Sequence, residues 1–531
     1  MRPYRLYIVF FTAFLCGSPL WAQESRKIDV VQGGHVMQGV TTDTARFERL
    51  VGDSAKRVIF SQKTTTISSD SAYLFRDRNR VEAYGNVKIV ENDTITVTGQ
   101  RLVYYGDIKL AKMTGDAVYR DPGLTIESEV MQYDMINKLA SYYENGKLVD
   151  ARNTLTSRIG NYHTESKIAS FKYDVVLDNP DYTLYSDTLQ YDTERKVAFI
   201  RGPSTIVSRE DSVVFTFNEG VYETTRDVSV FGRGKIETES YILEGDTLYS
   251  DDANRFYSAH ENVRMISKEE NVIITGKHAK YWKDQELTKV YGNPVMEKIM
   301  GDDTLFLSAD TLVSIDSKIE EEKRLLAYRD VRIFKTDMQG IADSVAYHLY
   351  DSIIYFFADP VLWYDVNQLE ADSINIQLKN NTIDVMNLKV NSFLISEDTL
   401  LHSFNQIKGR EMTIYFRNNE IDRAYVFGNG ESVMFAADDD GRSLLGLNKT
   451  LCSSMMIRFR NSQFDNASFY TKPEASFIPP HEINPPDREL PGFRLRRNER
   501  PDKQAVIDRL GTAFPQPEEN AEPLTERLPT H

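Results

Sequence analysis

From about residue 61 the chain repeats one local pattern, short apolar runs in which every second position is polar. Val87-Lys88-Ile89-Val90, Thr94-Ile95-Thr96-Val97-Thr98, Val263-Arg264-Met265-Ile266 and Asn271-Val272-Ile273-Ile274-Thr275 are rich in β-branched residues and bounded by Gly, Asn and Asp. A period of two with those boundaries predicts strands. The 3.6-residue period of an amphipathic helix is missing until Lys503 to Leu510, where Ala505, Val506, Ile507 and Leu510 predict one short helix. The body is expected to be all-β.

The strands recur in register. One anchor is a Gly/Asn/Asp turn leading into an apolar run, as in Tyr84-Gly85-Asn86-Val87, Thr114-Gly115-Asp116-Ala117-Val118, His260-Glu261-Asn262-Val263 and Tyr291-Gly292-Asn293-Pro294-Val295. Counted from Gly85, these anchors fall at 115, 144, 174, 202, 232, 261, 292, 329 and 359, a period of about 30 residues. A second anchor keeps the same phase: a small residue, Asp, Ser or Thr, then an apolar residue. It reads Ser69-Asp70-Ser71-Ala72, Ser186-Asp187-Thr188-Leu189 and Gly245-Asp246-Thr247-Leu248, with looser copies at Asp310, Asp343 and Asp372. Two phased anchors predict one supersecondary unit of about three short strands per period. Such a unit buries its apolar face only by stacking on its neighbours. Length therefore sets the number of copies, with residues 61–472 as the array, 23–60 as a polar lead and 473–531 as a Pro-rich, mostly extended tail.

These repeats resemble the OstA/LptA family of lipopolysaccharide transport. The best copies are Glu82-Ala83-Tyr84-Gly85-Asn86-Val87-Lys88-Ile89 followed by Ile95-Thr96-Val97-Thr98-Gly99-Gln100-Arg101-Leu102-Val103-Tyr104, and Val263-Arg264-Met265-Ile266 followed by Ile274-Thr275-Gly276-Lys277-His278-Ala279-Lys280-Tyr281. Gly446-Leu447-Asn448-Lys449-Thr450 leading to Met456-Ile457-Arg458-Phe459 is similar to the closing part of long OstA-like proteins of the Bacteroidetes type. The chain departs from the family's minimal pattern in its length and its Pro-rich tail. The resemblance implies an elongated, twisted, partly open β-jellyroll, or β-taco, whose inner faces hold the acyl chains of lipopolysaccharide or a lipooligosaccharide. It also implies partners among other lipopolysaccharide-transport proteins through β-edge pairing, or head-to-tail self-association. Alternation along the strands then places Val87, Ile89, Ile95, Val97, Leu102, Val118, Ile126, Val263, Ile274 and Val295 inward as lipid-binding positions. The alternative is a structural β-solenoid with a closed, dry core.

Charge and targeting refine that picture. Lys plus Arg number 63 against 79 Asp plus Glu, a net charge of −16 that repels a phosphate backbone and argues against nucleic acid. It does not argue against an anionic lipid held by its tails. Arg2 and Arg5 precede an apolar run from Leu6 to Leu15, too short to cross a bilayer of roughly 30 Å, so residues 1–22 read as a signal peptide cleaved between Ala22 and Gln23. Cys16 would be the acylated residue of a lipoprotein, but Leu15 stands where such a site needs a small residue. Export to the periplasm is expected, with association with the outer membrane as a further option.

Candidate chemistry is sparse. The eight His are scattered, with no HExxH motif and only Cys452 left after cleavage, so no metal, cofactor or catalytic site is expected. Asp438-Asp439-Asp440-Gly441 lacks the ligand spacing of a calcium loop and reads as a hairpin turn. Asp70, Asp187, Asp246, Asp310, Asp343 and Asp372 recur once per repeat, which suits a turn or strand-edge role better than a single catalytic constellation. Arg494, Arg496, Arg497 and Arg500 form the dense basic cluster of the tail.

Overall fold

The computed structural model describes residues 27–42, 44–209, 213–239, 241–268, 271–300, 303–438 and 441–510. The expected signal peptide with Ala22 and Gln23, Asp439 and Asp440, and the last part of the tail lie outside the described residues. Almost all of the described structure is antiparallel strand; the α-helix among the described residues is Lys503–Ile507, continued by a 3₁₀ turn at Asp508–Leu510. Contacts divide the chain into an N-terminal unit, 1–171, and a C-terminal unit, 172–531.

In the N-terminal unit consecutive strands pair as a meander. Arg80–Glu91 pairs with Ile95–Tyr105, which pairs with Leu110–Asp121, which pairs with Leu124–Asp134. Each of these strands is bent in the middle. The register slips between Tyr84 and Val87, between Thr98 and Arg101, and between Ser128 and Val130. At the first bend Gly85 and Asn86 both have positive φ, 78° and 43°. Left-handed residues inserted in a strand make a bulge that bends it and re-aims the side chains beyond it, and Gly and Asn accept that conformation at least cost.

The first sequence anchor is thus a corner inside a strand. The connecting hairpins lie elsewhere, for example at Asn92-Asp93, where both residues again have positive φ. Each period holds two long bent strands, where the sequence pattern predicts about three short ones. The second anchor lies across the same corner. Asn86 Nδ2 donates to Asp70 Oδ2 at 2.8 Å, and the arrangement recurs in the C-terminal unit as Asn262 to Asp246 at 2.6 Å and Asn391 to Asp372 at 3.0 Å. Asp70, Asp246 and Asp372 are therefore bracing groups at the corners, whereas Asp187 and Asp343 accept from the adjacent Thr188 and Ser344 and Asp310 pairs with Arg329.

The bends fold each strand into two walls whose inner faces meet. Tyr119, on one wall, packs edge-on against Tyr133 and Tyr162 of the other at 5.7 and 6.0 Å. Along the first wall one inward residue per strand forms a ladder: Ile89 opposite Val97, Val97 opposite Tyr119, Tyr119 opposite Ile126, Ile126 opposite Leu148, and Leu148 opposite Leu155. No member is more than 3% exposed. Buried tyrosines fill the remaining width; Tyr142 hydrogen-bonds Ser157 at 2.7 Å and Tyr162 donates to Asp121 at 2.9 Å, whereas the buried Tyr119 and Tyr133 hydroxyls have no hydrogen-bond partner among the described residues. Burial pushes the Tyr142 phenol up to about 12.

The C-terminal unit is itself a meander through Tyr182–Asp192, Val197–Ser208, Val214–Glu223, Val228–Glu237, Tyr241–Asp251, Phe256–Ser267 and Val272–Trp282. It ends in four longer strands, Thr382–Asp398, Ser403–Arg417, Glu420–Ala437 and Leu444–Arg460, around a closed core that includes Leu394, Ile407, Met412 and Ile457. Cys452 is a buried free thiol in that core, and burial raises its pKa. The chain beyond this core keeps an ordered path. Glu474–Ile478 pairs with Leu444–Arg460, short 3₁₀ turns follow, and Asp502 caps the helix by accepting from the Ala505 amide at 2.6 Å.

Candidate functional site

The inward ladder of the C-terminal unit begins and ends closed but opens between. Leu184 stands opposite Ile206, Ile206 opposite Phe215, Phe215 opposite Ile236, Ile236 opposite Leu243, Leu243 opposite Met265, Met265 opposite Ile274, and Ile274 opposite Met296. Leu184 is buried, and beyond Met296 the ladder is buried again from Leu307 to Ile407. Ile206, Phe215, Leu243, Met265, Ile274 and Met296 are all partly exposed. Six of the seven apolar side chains from Ile206 to Met296 thus keep contact with solvent, Ile236 being buried, whereas the corresponding ladder within the N-terminal unit is sealed.

The facing wall lines the same space. Ladder neighbours Ala259 and Ala279 occupy deep positions with little volume. Toward the mouth stand Tyr222, Tyr257 and Tyr281, partly exposed, with Tyr281 stacked on Tyr257 at 6.1 Å. Tyr222 packs edge-on against Tyr182 at 5.6 Å and donates to Asp227 Oδ1 at 2.5 Å; burial, with the neighbouring Tyr182 and Asp227, raises its pKa strongly. Deeper, Phe217 stacks on Phe231 across the walls at 4.2 Å. The site is an apolar floor with a rim of phenols, and burial raises the pKa of Tyr222 and of Tyr281. Its apolar floor suits aliphatic chains.

Of the ten positions expected inward, Val87, Ile89, Val97, Leu102, Ile126, Val263 and Val295 are buried. Ile95 and Ile274 are on the inner face and partly exposed. Val118 points the other way: its neighbours Ala117 and Tyr119 are the buried ones, and across the sheet it meets Thr98 and Glu127. The residue directly after the left-handed pair is the inward one, so the phase counted from Gly115-Asp116 selects Ala117. Ile206, Phe215, Leu243, Met265 and Met296 are missing from the sequence-based set, although their register on either side of the corners marks their face.

Other candidate chemistry takes a structural role. Asp438 Oδ1 accepts from the Arg442 and Ser443 amides in a turn. His260 and His278 sit on adjacent strands with their Nδ1 atoms 3.2 Å apart, and burial, His278 and Lys280 lower the His260 pKa. Among the described residues no three His, Cys, Asp or Glu side chains cluster as metal ligands, and no helix is long and apolar enough to cross a membrane.

Bent antiparallel strands stacked at a 30-residue period around an apolar interior define a β-repeat protein of the jellyroll type. Residues 41–187 match the family described as OstA-like protein, so over that stretch the chain is OstA-like, as its repeats suggested. A solved structure, LptH, the LptA-homologous periplasmic component of the lipopolysaccharide transport device of Pseudomonas aeruginosa, aligns at 13% identity. That alignment covers 22% of this chain and 79% of LptH, with a TM-score of 0.19. No curated protein matches the chain.

Proposed function

We propose that this chain is a non-enzymatic carrier of lipopolysaccharide or lipooligosaccharide in the periplasm, holding the acyl chains on its apolar interior during passage toward the outer membrane. The OstA-like match over residues 41–187 supports the class of cargo. The observation that carries the reading is the open ladder from Ile206 to Met296. Burying acyl methylenes there stabilises the complex by about 0.8 kcal/mol each, so a few methylenes per rung outweigh the repulsion of an acidic protein for an anionic headgroup. Open sheet edges are the proposed contacts to other transport proteins or to a further copy. Strand Val36–Thr41 supports this at one end, because Val36 and Met37 are exposed on it.

The sealed ladder from Ile89 to Leu155 favours a second reading, a scaffold with a dry core. Native mass spectrometry of the chain purified from envelopes separates the two. A carrier retains glycolipid masses that are lost on replacing Met265 and Ile274 with Asn. A scaffold shows none, and the absence of bound glycolipid in the wild-type chain overturns the carrier reading.

A further inference from the structure

Residues 484–510 run back across the outer face of the C-terminal unit and cross its strands. The track beneath them is a column of outward side chains, one per strand: Gln339 opposite Trp363, Trp363 opposite Gln368, Gln368 opposite Ile395, and Ile395 opposite Gln406. Two buried amides grip the crossing segment in the same manner. Gln406 Nε2 donates to the Arg488 carbonyl at 2.7 Å while its Oε1 accepts from the Leu490 amide at 2.7 Å. Gln368 Nε2 donates to the Arg494 carbonyl at 2.7 Å while its Oε1 accepts from the Arg496 amide at 3.0 Å. Such reciprocal pairs read an extended backbone whatever its side chains are.

Charge supplies the selectivity. Arg494 meets Glu370 at 3.0 Å and Asp359 at 3.4 Å, Arg496 meets Asp359 at 2.9 Å, Arg497 pairs with Glu397, and Arg509 pairs with Asp330. Arg494, Arg496 and Arg497 of the basic cluster have acidic partners on this face, and Arg500 donates to Gln339 Oε1 at 2.6 Å. The segment is held by these polar contacts, by Lys449 on Asp487 and by Leu490 in a small apolar cluster with Phe393 and Ile395, and it buries few side chains of its own. Between Asn484 and Arg509 the buried side chains are Leu490, Pro501 and Val506. So few buried groups set against the ordering of a long segment place it among the parts of the fold that open first.

We propose that residues 484–510 form an exchangeable strap, and that the track from Gln406 to Gln339 takes the same segment from a second copy of the chain. The sequence seen to fit the track is the chain's own, so a second copy is the source of an equivalent occupant. Vacating the track leaves two buried amides and the carboxylates Asp359, Glu370 and Glu397 without their partners, which favours prompt recapture.

The test uses the full chain with Cys16 and Cys452 replaced by Ala and a short bismaleimide crosslinker. One copy carries Glu397→Cys, another Arg497→Cys, and a third both. The double variant is expected to crosslink within one chain. Mixing the two single variants is expected to give a covalent dimer at a tenth or more of that yield, suppressed at least fivefold by an excess of synthetic peptide 484–510. An intrachain product without any dimer makes the strap a permanent part of the fold and overturns the proposal. So does a dimer that the peptide leaves unchanged, because it then forms by collision, and so does a double variant that fails to crosslink, because the strap contact itself is then absent.

Discussion

The open and sealed stretches of the ladder predict responses of unequal size to the same truncation. Ile89 is fully buried, so Ile89→Ala removes three methyl or methylene groups from a site with little room to collapse, and its expected cost is about 2–5 kcal/mol. Ile274 is already partly in water and abuts the closed core only from one side, so Ile274→Ala is expected to cost about 1–2 kcal/mol. Global unfolding of a long repeat need not be two-state, so the assay is native-state amide exchange read locally. Amides of Arg80–Glu91 and Ile95–Tyr105 are expected to exchange at least about thirtyfold faster in Ile89→Ala, because each 1.4 kcal/mol is about a factor of ten. Amides of Phe256–Ser267 and Val272–Trp282 are expected to change by no more than about thirtyfold in Ile274→Ala. Equal acceleration at the two sites would mean that the Ile274 rung is as closed as the Ile89 rung, and the reasoning would fail.

Two further outcomes test the corners and the rim. Asn86→Ala forces a left-handed alanine, about 1–2 kcal/mol, and removes the hydrogen bond to Asp70, about 1 kcal/mol, whereas Asn86→Gly loses only the bond. Thermal melts should rank wild type above Asn86→Gly and that variant above Asn86→Ala; an alanine variant as stable as the glycine one contradicts the bulge argument. At Asp121, burial raises the carboxyl pKa, but the Gly123 amide, Lys167 and Tyr162 together lower it further, below its ordinary 3.8. Its contribution is therefore complete above the unfolded value of about 3.9 and is lost as pH falls through the lower folded value. Asp121→Asn should lower the unfolding midpoint at pH 7 and leave a shallower loss below about pH 4; a parallel loss at every pH is the contrary result.

The corners are visible in the sequence for a physical reason. Gly85-Asn86, Gly115-Asp116 and Glu261-Asn262 adopt left-handed backbone, which few residue types tolerate, so the positions recur as recognisable letters. The same letters appear in a hairpin such as Asn92-Asp93, because bulge and hairpin demand the same φ, and the corners therefore read as chain reversals between short strands. Val118 is misplaced when the larger apolar residue is preferred to the phase, which selects Ala117. Openness has no local signature at all. Ile126 and Ile274 look alike along the chain and hold equivalent ladder positions, but tyrosines such as Tyr119 and Tyr133 fill the space beside one, and Ala259 and Ala279 stand among the deep residues of the wall facing the other.

The measurement that most directly tests the central claim is a site-resolved photocrosslinking map in living cells, with a photoreactive residue placed in turn at Ile206, Leu243, Met265, Ile274 and Met296, and at Ile89, Val97 and Ile126. The account predicts glycolipid adducts at the first five positions and at least tenfold fewer at the last three. Adducts absent from the first five, or equally strong at all eight, would contradict it.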